Sequence, residues 1–263
     1  MKGLLGWLAV FCLISTVSAQ EVKDFGKDRL NSSPRHSDWI DLESKGQNFK
    51  AFVSYPERKD KAPVVIVVHE IFGLTDWVRS LCDELAEEGV IAIAPDLLSG
   101  KKFEDMDGAR KATSALKDDQ VQSALDAVAD YALKKIPSAN GHLAVCGFCW
   151  GGGWAFKYAN LNPKLKAAFS FYGATPDTPE KVKNINAPVY GFYGELDSRI
   201  SATIPKAEEL MKAAGKTYEP VIYKGAGHGF MRSGDPGNPN PRPPDRTARD
   251  DAWTRWKTLL GNL

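Results

Sequence analysis

Apolar and polar positions along the chain fall into distinct rhythms. Ile40-Asp41-Leu42 and Phe49 to Tyr55 alternate apolar with polar, the period of strands that bury one face. Pro63 to Val68 and Val90 to Ala94 are unbroken apolar runs, which predict strands covered on both faces, as in a parallel sheet. His142 to Cys146, Lys166 to Tyr172, Val189 to Tyr193 and Glu219 to Tyr223 complete the predicted strands. Between them lie predicted helices. Leu74 to Glu88 is capped by Gly89, and Val121, Leu125, Val128 and Ala132 recur at helical spacing after a polar loop. Gly151 to Leu161, Ala202 to Ala214 and a closing stretch from Ala248 to Leu260 are also helical in pattern. The proline- and glycine-rich segment from Gly234 to Pro244 reads as a loop. Strand and helix alternate along nearly the whole chain. That order is the α/β class, with a mostly parallel central sheet and helices on both faces.

No linker splits the middle and no internal repeat is visible, so residues 38–263 read as one domain. What precedes it is different. Lys2 gives a basic start, Leu4 to Val17 carries no charge, and Val17-Ser18-Ala19 is a small-residue cleavage pattern. Residues 1–19 therefore read as a signal peptide, and polar residues 20–37 as a flexible lead-in. The apolar run is short for a membrane span, which needs ~20 residues. The expectation is an exported protein, periplasmic or extracellular, with no stable membrane association after cleavage.

Composition narrows the partners. The 263 residues are 43% hydrophobic and 25% charged, globular proportions. Lys+Arg is 34 against 33 Asp+Glu, a net charge of +1, with no basic excess or basic aromatic stripe that points to nucleic acid, so none is expected as a partner. Of the four cysteines, Cys12 leaves with the leader, and Cys82, Cys146 and Cys149 are too few for a disulfide scaffold. His36, His69, His142 and His228 show no metal-ligand spacing, and the glycines at 225–229 open no helix that would hold a phosphate. Neither a metal nor a cofactor is expected.

The chemistry gathers at predicted strand ends. Gly147-Phe148-Cys149-Trp150-Gly151 lies between a buried strand and a helix, the spacing of a nucleophile elbow with cysteine at its tip. Flanking glycines let backbones approach where a Cβ would clash, and a helix N-terminus beneath the tip favours negative charge. An acid and a histidine are required further along, in that order. Asp197 follows the strand ending at Tyr193, and His228 sits in Gly225-Ala226-Gly227-His228-Gly229-Phe230 after the last strand. Taken singly, Asp197 reads equally as a helix cap and His228 as a surface loop residue. His69-Glu70-Ile71-Phe72-Gly73 closes the first buried strand at the same edge, and Gly73 stands where a metalloprotease motif requires a second histidine.

These segments together resemble the dienelactone hydrolase family of the α/β-hydrolase fold. The matching stretches are HEIFG at 69–73, PDL at 95–97, GFCWGG at 147–152, YG and ELD at 193–197, and GAGHGF at 225–230. The resemblance implies Cys149 as nucleophile, His228 as base and Asp197 as its orienter. It implies Glu70 as an extra carboxylate that meets the cysteine in the resting site, and the amides of Ile71 and Trp150 as an oxyanion hole. Arg232 matches a position that grips a substrate carboxylate, and Arg110 is the best candidate for a second such arginine, with Arg199 another that could face the pocket. Phe72 and Tyr172 would line an aromatic pocket. The implied activity is carboxylic-ester or lactone hydrolysis through a thioester, on small substrates; the sequence does not fix the oligomeric state, and a monomer is the favoured expectation. Two other readings stay open from the residues alone. Cys146 and Cys149 form a CxxC, which a thiol-disulfide oxidoreductase would use, and a binding protein would keep the pocket without catalysis.

Overall fold

The structure, a computed structural model, describes residues 26–263 apart from Lys102 and Glu104, so the expected leader at residues 1–19 lies outside the described residues. Eight strands form one sheet in the order β1-β2-β4-β3-β5-β6-β7-β8. They are β1 (Ser37–Ser44), β2 (Gln47–Ser54), β3 (Ala62–Val68), β4 (Ile91–Pro95), β5 (Ala139–Phe148), β6 (Ala167–Phe171), β7 (Val189–Gly194) and β8 (Tyr218–Tyr223). β1 and β2 form an antiparallel hairpin, β2 runs antiparallel to β4, and every pairing from β4 to β8 is parallel. The helices are α1 (Lys27–Ser32), α2 (Asp76–Glu87), α3 (Met106–Ser114), α4 (Asp118–Lys135), α5 (Trp150–Leu161), α6 (Ser198–Ser201), α7 (Ile204–Ala213), α8 (Phe230–Ser233) and α9 (Pro243–Leu260). This is the mostly parallel α/β sheet that the alternation of elements predicts, in the α/β-hydrolase arrangement that the resemblance implies.

The unbroken apolar runs have a two-sided explanation. In β3, Val64, Ile66 and Val68 pack with Leu125, Val128 and Trp154 on one face of the sheet. Val65 and Val67 pack with Trp77, Leu81 and Trp256 on the other. Side chains alternate across a strand, so burial on both faces leaves no position for a polar residue. α4 and α5 cover the first face, α2 and α9 the second.

Three segments differ from the sequence expectation. The lead-in over 20–37 is ordered where it is described. Residues 27–32 form α1, and the segment is tied to α2 by Arg29, Ser33 and Arg35, which all bond the buried carboxylate of Asp83. A polar segment gives no periodic signal when ion pairs rather than apolar burial hold it. The polar loop before Val121 contains α3, which buries only Ala109 and Thr113 and is capped by Asp105 accepting from the Gly108 amide at 2.7 Å. The closing helix begins earlier than Ala248, at Pro243, a residue preorganised for the first helical turn.

Candidate active site

The C-terminal ends of β3, β5, β6, β7 and β8 deliver the loops that carry the chemistry to one edge of the sheet. At its centre Cys149 joins β5 to α5 with φ 54° and ψ −115°. A non-glycine residue rarely adopts such a backbone, and it persists only where the surroundings fix it. The surroundings are visible. A Cβ on Gly147 would overlap the Gly151 carbonyl, and a Cβ on Gly151 would overlap the carbonyls of Val68 and His69. The Cys149 amide is also fixed, donating to Phe171 O at 3.0 Å. The tight turn therefore forces both glycines, and it lifts the sulfur to partial exposure above the first turn of α5.

His228 follows β8, and Gly229 behind it takes φ 77°. The imidazole bonds Asp197 through Nδ1 at 2.5 Å, and Cys149 is near enough to be among the groups that raise its pKa. Asp197 is buried at the start of α6, and its carboxylate turns to His228 instead of capping that helix. Burial opposes a charged imidazole at His228, but the hydrogen bond to Asp197 and the neighbouring Cys149 outweigh it and hold the pKa up to about 10. Of the three residues expected to act together, Asp197 and His228 are thus hydrogen-bonded, and Cys149 lies near the ring.

Glu70 departs in one respect from what the resemblance implies. It is buried beside the elbow, but its carboxylate bonds Arg232 Nε at 2.9 Å and the Tyr172 hydroxyl at 3.3 Å, and among the described residues no hydrogen bond joins it to Cys149. Arg232 supplies the ion pair that accompanies the buried carboxylate. Arg232 lies over the Phe72 ring at 5.3 Å and uses Nε on Glu70, so its terminal nitrogens remain for another anion. Tyr172 corrects a second expectation. It is fully buried with φ 40°, edge-on to His228 at 5.1 Å, so it backs the histidine instead of lining the pocket. Burial and the charge of Glu70 push its phenol well above the usual range, which keeps the hydroxyl a donor.

The amides of Ile71 and Trp150 donate to no partner among the described residues, and Trp150 opens α5, where intrahelical acceptors are lacking. Arg110 is a correction. It sits on α3, its side chain 61% exposed, paired with Asp107 at 3.6 Å, with no bond to the site. Arg199 is exposed on α6. Cys146 is wholly buried in β5, burial raises its thiol pKa well above the ordinary value, and all three described cysteines are free thiols. Among the described residues no cluster of His, Cys, Asp and Glu has the makings of a metal site, and no helix is long and apolar enough to cross a membrane.

The loop that carries His228 is held by residues that motif reading misses. Asp245, buried in the first turn of α9, accepts from the Gly227 amide at 2.9 Å and from Ser233 Oγ at 3.0 Å. Glu195 accepts from the Gly225 amide at 2.8 Å, and Arg242 donates to the Gly225 carbonyl at 2.8 Å. The available signal was Pro243-Pro244-Asp245, which spells a helix start with an acid in its first turn. A separate cleft of about 300 Å³ lies between the hairpin tip at Lys45, the loop at Asp96 and Ser99, and the start of α4. None of the site residues named above lines it.

A strained elbow at the centre of a sheet in this strand order, with an acid and a histidine on the following strand ends, defines a hydrolase of the α/β-hydrolase fold. The dienelactone hydrolase family matches residues 49–263, and the chain belongs to that family. Among curated relatives, the "Putative carboxymethylenebutenolidase" of Escherichia coli O157:H7 is 36% identical over 231 residues, 81% of this chain and 82% of that protein. Its namesake in Salmonella typhimurium is 37% identical over 212 residues, 74% of this chain and 78% of that protein. Among solved structures, the "Putative Dienelactone Hydrolase" of Klebsiella pneumoniae superposes with a TM-score of 0.77 at 32% identity, covering 87% of this chain and 99% of that one.

Proposed function

We propose that the protein is an exported carboxylic-ester and lactone hydrolase whose nucleophile is the Cys149 sulfur. The observation that carries this reading is the His228–Asp197 hydrogen bond at 2.5 Å beside Cys149, which sits at the strained elbow and contributes to the raised pKa of the ring. With Asp197 accepting at Nδ1, the other ring nitrogen is left for the thiol, and the raised imidazole pKa favours the protonated ring that holds the thiol proton. The sulfur then adds to the ester or lactone carbonyl. Negative charge collects on the carbonyl oxygen, and the unpartnered amides of Ile71 and Trp150 are the donors for it. The tetrahedral adduct collapses to a thioester as His228 protonates the leaving alkoxide. For a lactone that alkoxide stays in the same molecule. His228 next takes a proton from water, the hydroxide releases the acid, and the sulfur recovers its proton.

Arg232 gives the site a preference. Its terminal nitrogens are placed for a carboxylate near the scissile bond, which agrees with relatives named for a carboxymethylene butenolide. Export rests on the first nineteen residues, with their basic start, uncharged run and Val17-Ser18-Ala19 ending. The redox reading loses support because Cys146 is sealed in the core, where it can neither attack nor resolve a mixed disulfide.

The test is a panel of lactones, aryl esters and thioesters given to purified protein beginning at Gln20. Turnover that disappears in Cys149→Ala, with an unchanged far-ultraviolet spectrum, is the expected result. Turnover that persists in Cys149→Ala removes the cysteine from the mechanism.

A further inference from the structure

His69 ends the buried run of β3 and is completely enclosed, yet Nε2 has no partner among the described residues. Its one hydrogen bond runs from Nδ1 to the backbone carbonyl of Glu70 at 2.6 Å. A carbonyl only accepts, so Nδ1 carries the proton. Burial lowers the imidazole pKa, which keeps the ring neutral. The Glu70 carbonyl belongs to the same peptide unit as the Ile71 N–H. No described peptide bond is cis, and in a planar trans peptide the N–H points opposite to the C=O. Fixing that carbonyl therefore fixes the direction of the Ile71 amide. The Gly73 amide also reaches this carbonyl, at 3.3 Å, a weaker hold. The imidazole meanwhile stacks on the Trp150 ring, with centroids 5.6 Å apart and planes 23° apart. Through the peptide on one side and the ring on the other, His69 touches both residues whose amides are unpartnered at the elbow.

We infer that His69 is a positioning residue of the oxyanion hole: its Nδ1–H locks the Glu70–Ile71 peptide plane so that the Ile71 amide faces the developing oxyanion, and its ring braces Trp150. The inference rests on the hydrolytic reading above, but it assigns a role to a side chain that never meets substrate. Preorganised donors act chiefly in the transition state, so loosening one lowers kcat more than it raises KM.

Leucine and asparagine have nearly the same shape, and only asparagine places an N–H where Nδ1 stands. His69→Leu and His69→Asn therefore leave similar voids and differ in the donor. On an activated aryl ester, His69→Leu is expected to lose about tenfold or more in kcat with KM within about twofold, and His69→Asn to recover most of that loss. Alkylation of Cys149 by iodoacetamide develops no oxyanion, so its rate should be the same in His69→Leu and wild type. Equal losses in the two variants, a parallel fall in alkylation, or wild-type turnover in His69→Leu would each overturn the inference. Should neither variant fold, ¹⁵N spectra of the wild type decide. A neutral ring with the proton on Nδ1 from pH 5 to 9 supports it, and the other tautomer or a titrating ring overturns it. Failure of the hydrolytic reading has a different signature, namely turnover that survives Cys149→Ala.

Discussion

Two regions of the molecule pair arginine with a buried carboxylate, and they do it in opposite ways. At the outer end of α2, Asp83 is saturated. It takes Arg29 Nε at 2.8 Å, Arg35 Nε at 2.8 Å, Arg35 Nη2 at 2.7 Å and the Ser33 hydroxyl. At the catalytic edge, Glu70 takes one arginine nitrogen at 2.9 Å and a tyrosine hydroxyl at 3.3 Å. The first pair holds the 26–36 segment onto the domain and has nothing left to offer a ligand. The second keeps guanidinium nitrogens in reserve beside the strained elbow at Cys149. Saturation marks a structural pair, and incomplete partnering beside reactive groups marks a site that exchanges partners when substrate arrives.

That contrast breaks if catalytic substitutions act through folding, or clamp substitutions through catalysis. The largest effect is expected at His228, where replacement by alanine should lower kcat per folded molecule by about a thousandfold. Next comes Arg232→Ala, which should raise KM for esters bearing a carboxylate about tenfold, against less than about twofold for neutral esters. Equal effects on both substrate types would place Arg232 with the structural pairs. Asp83→Ala should do the reverse, costing about 2–3 kcal/mol of stability in urea melts with kcat per folded molecule unchanged.

The two regions also take opposite pH windows. Burial raises the Asp83 pKa, but the bonds from Arg35 and Ser33 and the charge of Arg29 outweigh it and set it below its ordinary 3.8. A depressed carboxylate contributes stability above the unfolded pKa and loses it as pH falls through the folded one. His228 is raised from 6.5 to about 10, so its contribution is complete below about 6.5 and lost as pH rises through about 10. Urea melts from pH 2 to 11 should show Asp83→Asn altering the acid limb and His228→Gln the alkaline limb. A change on the wrong limb contradicts the pairing. The smallest effect is expected of Cys146→Ser, about 1 kcal/mol for a hydroxyl in the core with hydrolysis within about twofold of wild type. Collapse of hydrolysis there would return the CxxC to the mechanism.

What the sequence reveals and what it hides divide along the same line. β3 and β4 are legible because burial on both faces admits only apolar residues. The elbow is legible because its spelling is local: Gly147 is demanded by overlap with the Gly151 carbonyl four residues on, although Gly151 itself is demanded by the carbonyls of Val68 and His69 at the end of the neighbouring strand. The partners of Glu70 are hidden, since Arg232 lies 162 positions away and nothing local fixes which carboxylate it meets. The segment around α1 is hidden for the same reason, with Arg35 and Asp83 separated by 48 positions. Asp245 reads as an ordinary first-turn acid until the Gly227 amide is found against it. α3 escapes notice because it buries only Ala109 and Thr113.

The most direct test of the account is mass spectrometry of the protein quenched during turnover of an activated aryl ester. The account predicts an acyl adduct on the peptide containing Cys149, formed before steady state, discharged after substrate is exhausted and absent from Cys149→Ala. Full turnover with no adduct on Cys149 at any time, retained by Cys149→Ala, would contradict it.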